Sequence, residues 1–206
     1  MIARIRIGIA LLLFAIVAGV TGTGLTQEAH AKNYRGPFQG RVVDTDTRAP
    51  IEGAVVFVEW HIRHMGAGDT FYDSAEVLTD ANGAFSISSK WSWNPWTNIV
   101  MDSSFIIFKG GYGSVRTHWT TLHETAQFLE HLAPERRMGD PMLYYKIDFE
   151  DDVPVFLLKR LTTPAERWKN MSGLEPASDV PEGKYSVLTE EIKREETSLR
   201  TRISDE

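Results

Sequence analysis

The chain contains no cysteine, which excludes a disulfide framework, a thiolate metal ligand and a thiol-borne lipid anchor. Positive charge is also in short supply, with 22 Lys and Arg against 28 Asp and Glu and a net charge of −6. That sign argues against a nucleic-acid partner and against a polybasic membrane patch. No serine sits in a nucleophile elbow, so a Ser-His-Asp hydrolase has no starting motif. His123-Glu124 is not the opening of a zinc-protease helix, because the second His of that motif falls at position 127, which is Gln. There is no internal repeat and no low-complexity tract. With no disulfides to brace it, the chain must rely on its core, and an aromatic content of 11% supports one of good size.

The first 31 residues have the order of a secretory signal peptide. Arg4 and Arg6 form a basic start, Ile7 to Val20 is an apolar run, and Ala29-His-Ala31 fits small-x-small cleavage. The run is short of the about 20 residues that span a bilayer. Lys32 becomes the first mature residue, and no membrane span remains after cleavage. Losing Arg4, Arg6 and Glu28 leaves 20 basic and 27 acidic residues, a mature charge of −7. The expected location is the periplasm or the exterior. Two further segments follow: residues 32–162 as a β domain with loop insertions, and residues 163–206 as a helical C-terminal extension.

Short β-rich runs bounded by Gly, Pro, Asn and Asp fill the β domain. They are Phe38 to Asp44, Ala54 to Val58, Glu76 to Thr79, Phe85 to Ser88 and Phe105 to Phe108. Phe85 and Ile87 alternate with Ser86 and Ser88, the period of a strand with one buried face. Asp80-Ala-Asn-Gly83 predicts a tight hairpin between its flanking runs, since Asn and Gly tolerate positive φ. Ala54 to Val58 is apolar without alternation, which predicts a strand covered on both faces. Leu143 to Phe149 alternates as a further strand. Glu150-Asp-Asp152 turns the chain into a closing strand, Val153 to Lys159, and Pro154 predicts that this strand starts at an edge. Thr121 and Glu124 fit a capping box for a helix from Leu122 to about Leu132, stopped by Pro134. Thr163, Pro164 and Glu166 mark a second helix start. Leu188, Ile192, Leu199 and Ile203 make a narrow stripe on a highly charged third helix, supported by Glu190–Arg194 and Glu196–Arg200 pairs.

Gly40-Arg-Val-Val-Asp44, Pro50-Ile-Glu-Gly-Ala-Val55 and Thr79-Asp-Ala-Asn-Gly-Ala-Phe85 together resemble the carboxypeptidase regulatory-like domains, over roughly residues 36 to 113. The Phe108-Lys-Gly-Gly-Tyr-Gly113 element is similar to that family's late-strand motif. The resemblance implies a transthyretin-like or Ig-like antiparallel β-sandwich. It also implies a noncatalytic role, because those domains are appendages to metallocarboxypeptidases and no peptidase domain accompanies this one.

Trp91, Trp93 and Trp96, all within Lys90–Thr97, are the candidate ligand-binding residues. Alternating aromatics on a loop can stack sugar rings or anchor a protein interface, and can equally cap an open sandwich end. Lys90, Asn94 and Asn98 are the polar groups beside them. Five histidines survive signal removal: His61, His64, His118, His123 and His131. A His61/His64 metal pair is opposed by strand geometry, which puts residues three apart on opposite faces. Glu150-Asp-Asp152 lacks the spaced ligands of a calcium loop and fits a charged turn. The expectation is a noncatalytic exported module that binds an envelope protein or glycan, with no catalytic residue, metal or cofactor. The alternative is a histidine-dependent metal-binding protein or hydrolase. The sequence does not specify an oligomeric state.

Overall fold

In a computed structural model, residues 35–64, 68–90, 100–131 and 144–204 are described. They form a mainly β sandwich of two four-stranded sheets with three short helices. The first sheet has the order β4-β1-β8-β7, built from Ala84–Ile87, Phe38–Asp44, Val153–Leu158 and Tyr145–Glu150. The second has the order β3-β2-β5-β6, built from Gly68–Leu78, Val55–His64, Val100–Phe108 and Val115–His118. Helix α1 (Leu122–His131) is inserted before β7, while α2 (Pro164–Met171) and α3 (Ser186–Ser204) follow β8. Among the described residues no helix is long and apolar enough to cross a membrane. Residues 1–31, the expected signal peptide, lie outside the described residues.

Period-two alternation places the core between the sheets. Phe38, Val42, Val56, Val58, Trp60, Phe105, Ile107, Phe156 and Leu158 interdigitate there, all fully buried. Phe38 anchors this cluster, edge-on to Phe105 at 4.8 Å and 4.7 Å from the Trp119 ring. The unbroken apolar run of β2 is covered on both faces, as its lack of alternation predicts. Val55 and Phe57 point away from the sandwich and join Ile106 and Phe108 under Leu174, Val180 and Leu188 of the C-terminal segment.

That segment is stitched down by polar bonds as well. Thr163 caps α2 as expected, its hydroxyl accepting from the Glu166 amide while the Glu166 side chain accepts from Thr163 N–H. Arg167 of α2 then forms a two-pronged bond with Glu195 of α3, both contacts 2.6 Å and buried. Glu195 and Glu191 also accept from the amides of Gly111 and Gly110 in the loop after β5. On the surface of α3, Arg194 pairs with Glu191, one position from the expected partner Glu190.

Several local expectations change in the assembled fold. Asp80 to Gly83 does not make a hairpin, because β3 and β4 lie in different sheets. It is a corner, braced by the Asp80 carboxylate, which accepts from the amides of Asn82 and Ala84 at 2.8 Å each. Gly83 does adopt positive φ, +70°, and a Cβ there would stand 2.3 Å from the Val42 carbonyl oxygen. β4 pairs instead with β1, where Phe85 lies opposite Gly40. The sandwich is antiparallel except that β1 and β8 run parallel. β8 is therefore an interior strand and not an edge. Pro154 is accommodated because the pairing with β1 begins one residue later, at Val155. Asp151 and Asp152, at φ of 50° and 63°, form the two-residue turn of the β7–β8 hairpin. Thr121 does not cap α1. It lies in a 3-10 turn, Trp119–Thr121, and its hydroxyl donates to the His118 carbonyl.

Candidate functional site

The outer face of the second sheet changes character partway along its strands. On β2 the outward positions run Val55, Phe57, Glu59, His61, and on β5 they run Phe108, Ile106, Ser104, Asp102. Because Phe57 pairs with Ile106 and Glu59 with Ser104, both strands switch from apolar to polar at one level. The apolar half lies beneath the C-terminal segment. The polar half floors an open cleft of about 670 Å³, which Arg116 and His118 of β6 and the Ala177-Ser178-Asp179 stretch also line.

Two carboxylate–imidazole pairs stand in this cleft. His61 Nε2 donates to Asp179 Oδ1 at 3.2 Å, and Asp179 Oδ2 accepts from the Phe71 amide at 2.8 Å. Burial pushes the Asp179 carboxyl up, but the Phe71 amide and the His61 imidazole outweigh it and hold the group below the ordinary range. His118 Nδ1 donates to Asp102 Oδ1 at 3.2 Å, and Asp102 faces His61 directly across the strand pair. Glu59, almost fully buried, accepts from the Ser104 hydroxyl at 2.6 Å and from the Ala177 amide at 3.1 Å. Arg116 donates to the carbonyls of Gly173 and Glu175 at 2.6 and 3.0 Å.

Ser104, His118 and Asp102 thus share one face, with Ser104 and His118 as register partners. A hydrolytic triad needs the serine hydroxyl on the imidazole. Here that hydroxyl is given to Glu59.

Trp91, Trp93 and Trp96, with Asn94 and Asn98, lie outside the described residues. Lys90 is described and pairs with Asp73 at 2.8 Å. The β2 backbone continues to His64, while the His61 side chain bonds to Asp179 of the segment between α2 and α3. His123 stacks on Phe149 with ring centres 3.9 Å apart, and His131 Nδ1 donates to the Gln127 carbonyl of its own helix. Neither reaches the cleft. Among the described residues no group of three or more His, Asp or Glu has the spacing to hold a metal ion. A second cavity, about 650 Å³, lies between α1 and the first sheet, rimmed by Arg41–Glu150 and Arg48–Asp148 ion pairs.

The sequence reading missed the cleft, whose hydrogen-bonded partners are 16 to 118 residues apart in the chain. The signal available was the i, i+2 switch from Val55/Phe57 to Glu59/His61, mirrored along residues 102 to 108.

No family model matches this chain, and no curated protein matches it either. Among solved structures it is similar to 3-chlorocatechol 1,2-dioxygenase from Rhodococcus opacus 1CP, at 17% identity and a TM-score of 0.30. That alignment covers 63% of this chain and 62% of the other. An intradiol ring-cleavage dioxygenase from Tetranychus urticae aligns at 17% identity and a TM-score of 0.26, over 69% of this chain and 87% of that one. A 9R-lipoxygenase from Cyanothece PCC8801 aligns at 20% identity and a TM-score of 0.25, over 54% of this chain and 17% of that one. Likenesses this distant carry no argument about activity.

Proposed function

We propose that the chain is a noncatalytic, exported binding module of the cell envelope, whose ligand is a protein or a glycan. The observation that carries this reading is how the acid and base groups of the outer-face cleft are spent. Glu59, Asp179 and Arg116 each hold the C-terminal segment against the sheet. His61 and Ser104 are bonded to two of those carboxylates. The result is a preorganised polar surface whose groups are fixed by the fold, with the half-exposed His118 imidazole as its accessible group. Residues 1–31 supply the export half of the proposal, and the same reading keeps Trp91, Trp93 and Trp96 as ligand-contacting residues.

A glycan-array and pull-down survey of mature protein tests this reading. It is run beside His118→Ala and the triple Trp91→Ala/Trp93→Ala/Trp96→Ala variant. Binding that falls about tenfold or more in either variant, a change of about 1.4 kcal/mol, supports the proposal and says which surface is used. Equal binding by all three forms removes both surfaces from the account. N-terminal sequencing of exported protein is expected to begin at Lys32; Met1 at that position would mean an anchored form.

The second reading, a histidine-dependent metal-binding protein or hydrolase, is favoured by one feature, the placement of His61 and His118 on either side of Asp102. Elemental analysis of protein purified without chelator separates the two. A stoichiometric transition metal would transfer the cleft to this reading.

A further inference from the structure

On the outer face of the first sheet, strand register sets Arg41, Val155 and Asp148 side by side across β1, β8 and β7. The next row along is Val43, Leu157 and Lys146. Val43, Val155 and Leu157 form a small buried cluster of their own. Above that apolar floor stand two ion pairs. Arg41 Nη1 donates to Glu150 Oε2 at 3.1 Å, and Arg48 Nη2 donates to Asp148 Oδ2 at 2.7 Å. Each bond uses one guanidinium nitrogen of a group that carries five N–H donors. The four side chains are 41–57% exposed, so solvent and solutes reach them.

The helix wall opposite is polar too. His123, Ala126, Gln127 and Glu130 line the cavity, and their i, i+3, i+4, i+7 spacing makes them one stripe of α1. The buried residues of that helix are Leu122 and Leu129. It therefore docks with one stripe and turns a different one to the cavity. His123 lies flat against Phe149, with ring planes 12° apart, which fixes the imidazole at one end. The volume, about 650 Å³, is within the about 300–1,000 Å³ of small-molecule sites. The space continues into a further 320 Å³, which shares Arg48, Glu130 and Asp148 and reaches Lys146 and Leu157.

Exposed ion pairs contribute only about 0–1 kcal/mol to stability. What these two do is hold donors and acceptors in fixed places around the groove. The same charges select the ligand. Two guanidiniums stand against the carboxylates of Glu130, Asp148 and Glu150, so an anion meets repulsion from one set and a cation from the other. A wholly apolar molecule would take water from the rim and return no hydrogen bonds. A sugar ring matches both parts. Its hydroxyls accept from guanidinium and donate to carboxylate, and its C–H face can rest on Ala126 and Phe149, the half-buried apolar members of the lining. We propose that this groove between α1 and the first sheet is a binding site for a neutral saccharide. Arg41 and Arg48 are its donors, and Asp148, Glu130 and Gln127 are its acceptors. The site lies on the other sheet from the cleft of His61 and His118 and does not depend on what that cleft binds.

The test is a nuclear magnetic resonance titration of the purified, isotope-labelled protein. Cellobiose and N,N′-diacetylchitobiose are the neutral probes. Chitobiose, which carries ammonium groups, and a glucuronate-containing disaccharide are the charged ones. A neutral probe is expected to give saturable amide shifts in α1, β1 and β7 and to bind at least about fivefold tighter than either charged probe. Gln127→Ala, at an exposed helix position, should weaken that binding about fivefold or more with an unchanged melting temperature. Arg48→Asn should do the same, since Asn tolerates the positive φ of 59° found there; if it does not fold, Gln127→Ala decides. Native-like affinity in these variants, tighter binding of a charged probe, or no saturable shift with either neutral probe would overturn the proposal. Shifts confined to the surroundings of His61 and His118 would overturn it as well, while supporting the separate reading of that cleft.

Discussion

The side chain of Glu76, in strand β3, caps the amino end of helix α3 at Leu188. Its Oε1 accepts from the Leu188 amide at 2.8 Å and its Oε2 from the Val187 amide at 3.1 Å. A helix normally finds this partner at its own N-cap residue. Here the acceptor comes from 112 residues earlier, so helix capping and sheet-to-helix docking are one interaction.

Glu76→Ala is therefore expected to cost about 1–2 kcal/mol, through lost capping and lost carboxylate–dipole attraction. Glu76→Gln should cost less, since it keeps an acceptor but no charge. Chemical denaturation of the three proteins measures the series, and equal midpoints would mean that the cap contributes nothing.

Gly83→Val should destabilise the fold by about 2–3 kcal/mol, beyond the cost of positive φ alone. The added Cβ would meet backbone, the Val42 carbonyl at 2.3 Å, which cannot swing aside as a side chain would. An unchanged melting temperature would show that the corner relaxes at no cost.

Truncation after Thr163 removes Leu174, Val180 and Leu188 and uncovers Val55, Phe57, Ile106 and Phe108. The sequence alone predicts a modest loss for an accessory helix. The packing predicts a large one. Four buried strand side chains at about 1.5–3 kcal/mol each amount to about 6–12 kcal/mol, comparable to the about 5–15 kcal/mol that holds a whole domain folded. The truncated protein should be unfolded or aggregated by circular dichroism and light scattering. A soluble, cooperatively melting product would restore the accessory reading.

Asp73 gives the stability a pH dependence. Burial pushes its carboxyl up, but Lys90, the Ser74 amide and Lys184 prevail and hold it down to about 2. Because the folded value lies below the unfolded one, the stabilisation is complete above about pH 4 and is lost as the pH falls toward 2. Its side chain is 25% exposed, so solvent screening reduces the effect to about 1–2 kcal/mol. Thermal melts at pH 4 and pH 2 should show a larger loss for native protein than for Asp73→Asn. Parallel losses would place the acid sensitivity elsewhere.

Short-range physics is legible in the chain's local pattern. Alternation placed Phe85 and Ile87 in the core, and its absence at Ala54 to Val58 foretold a strand covered on both sides. Thr163, Pro164 and Glu166 named a helix start, and Glu150-Asp-Asp152 a turn. Each of these rests on side chains within a few residues acting on their own backbone.

Where those pieces meet is set by long-range packing. Asp80 to Gly83 has the composition of a hairpin turn, and that composition fixes a reversal of the chain. It does not fix whether the two strands pair with each other, and here β4 gains more by pairing with β1, where Gly40 makes room for the Phe85 ring. The parallel β1–β8 pair and the Glu76 cap on α3 are equally silent in the local pattern. So is the cleft, where His61 meets Asp179 and His118 meets Asp102 only because three strands and a distant irregular segment converge. Periodicity records which face of an element is buried, but it carries no address for the partner that buries it.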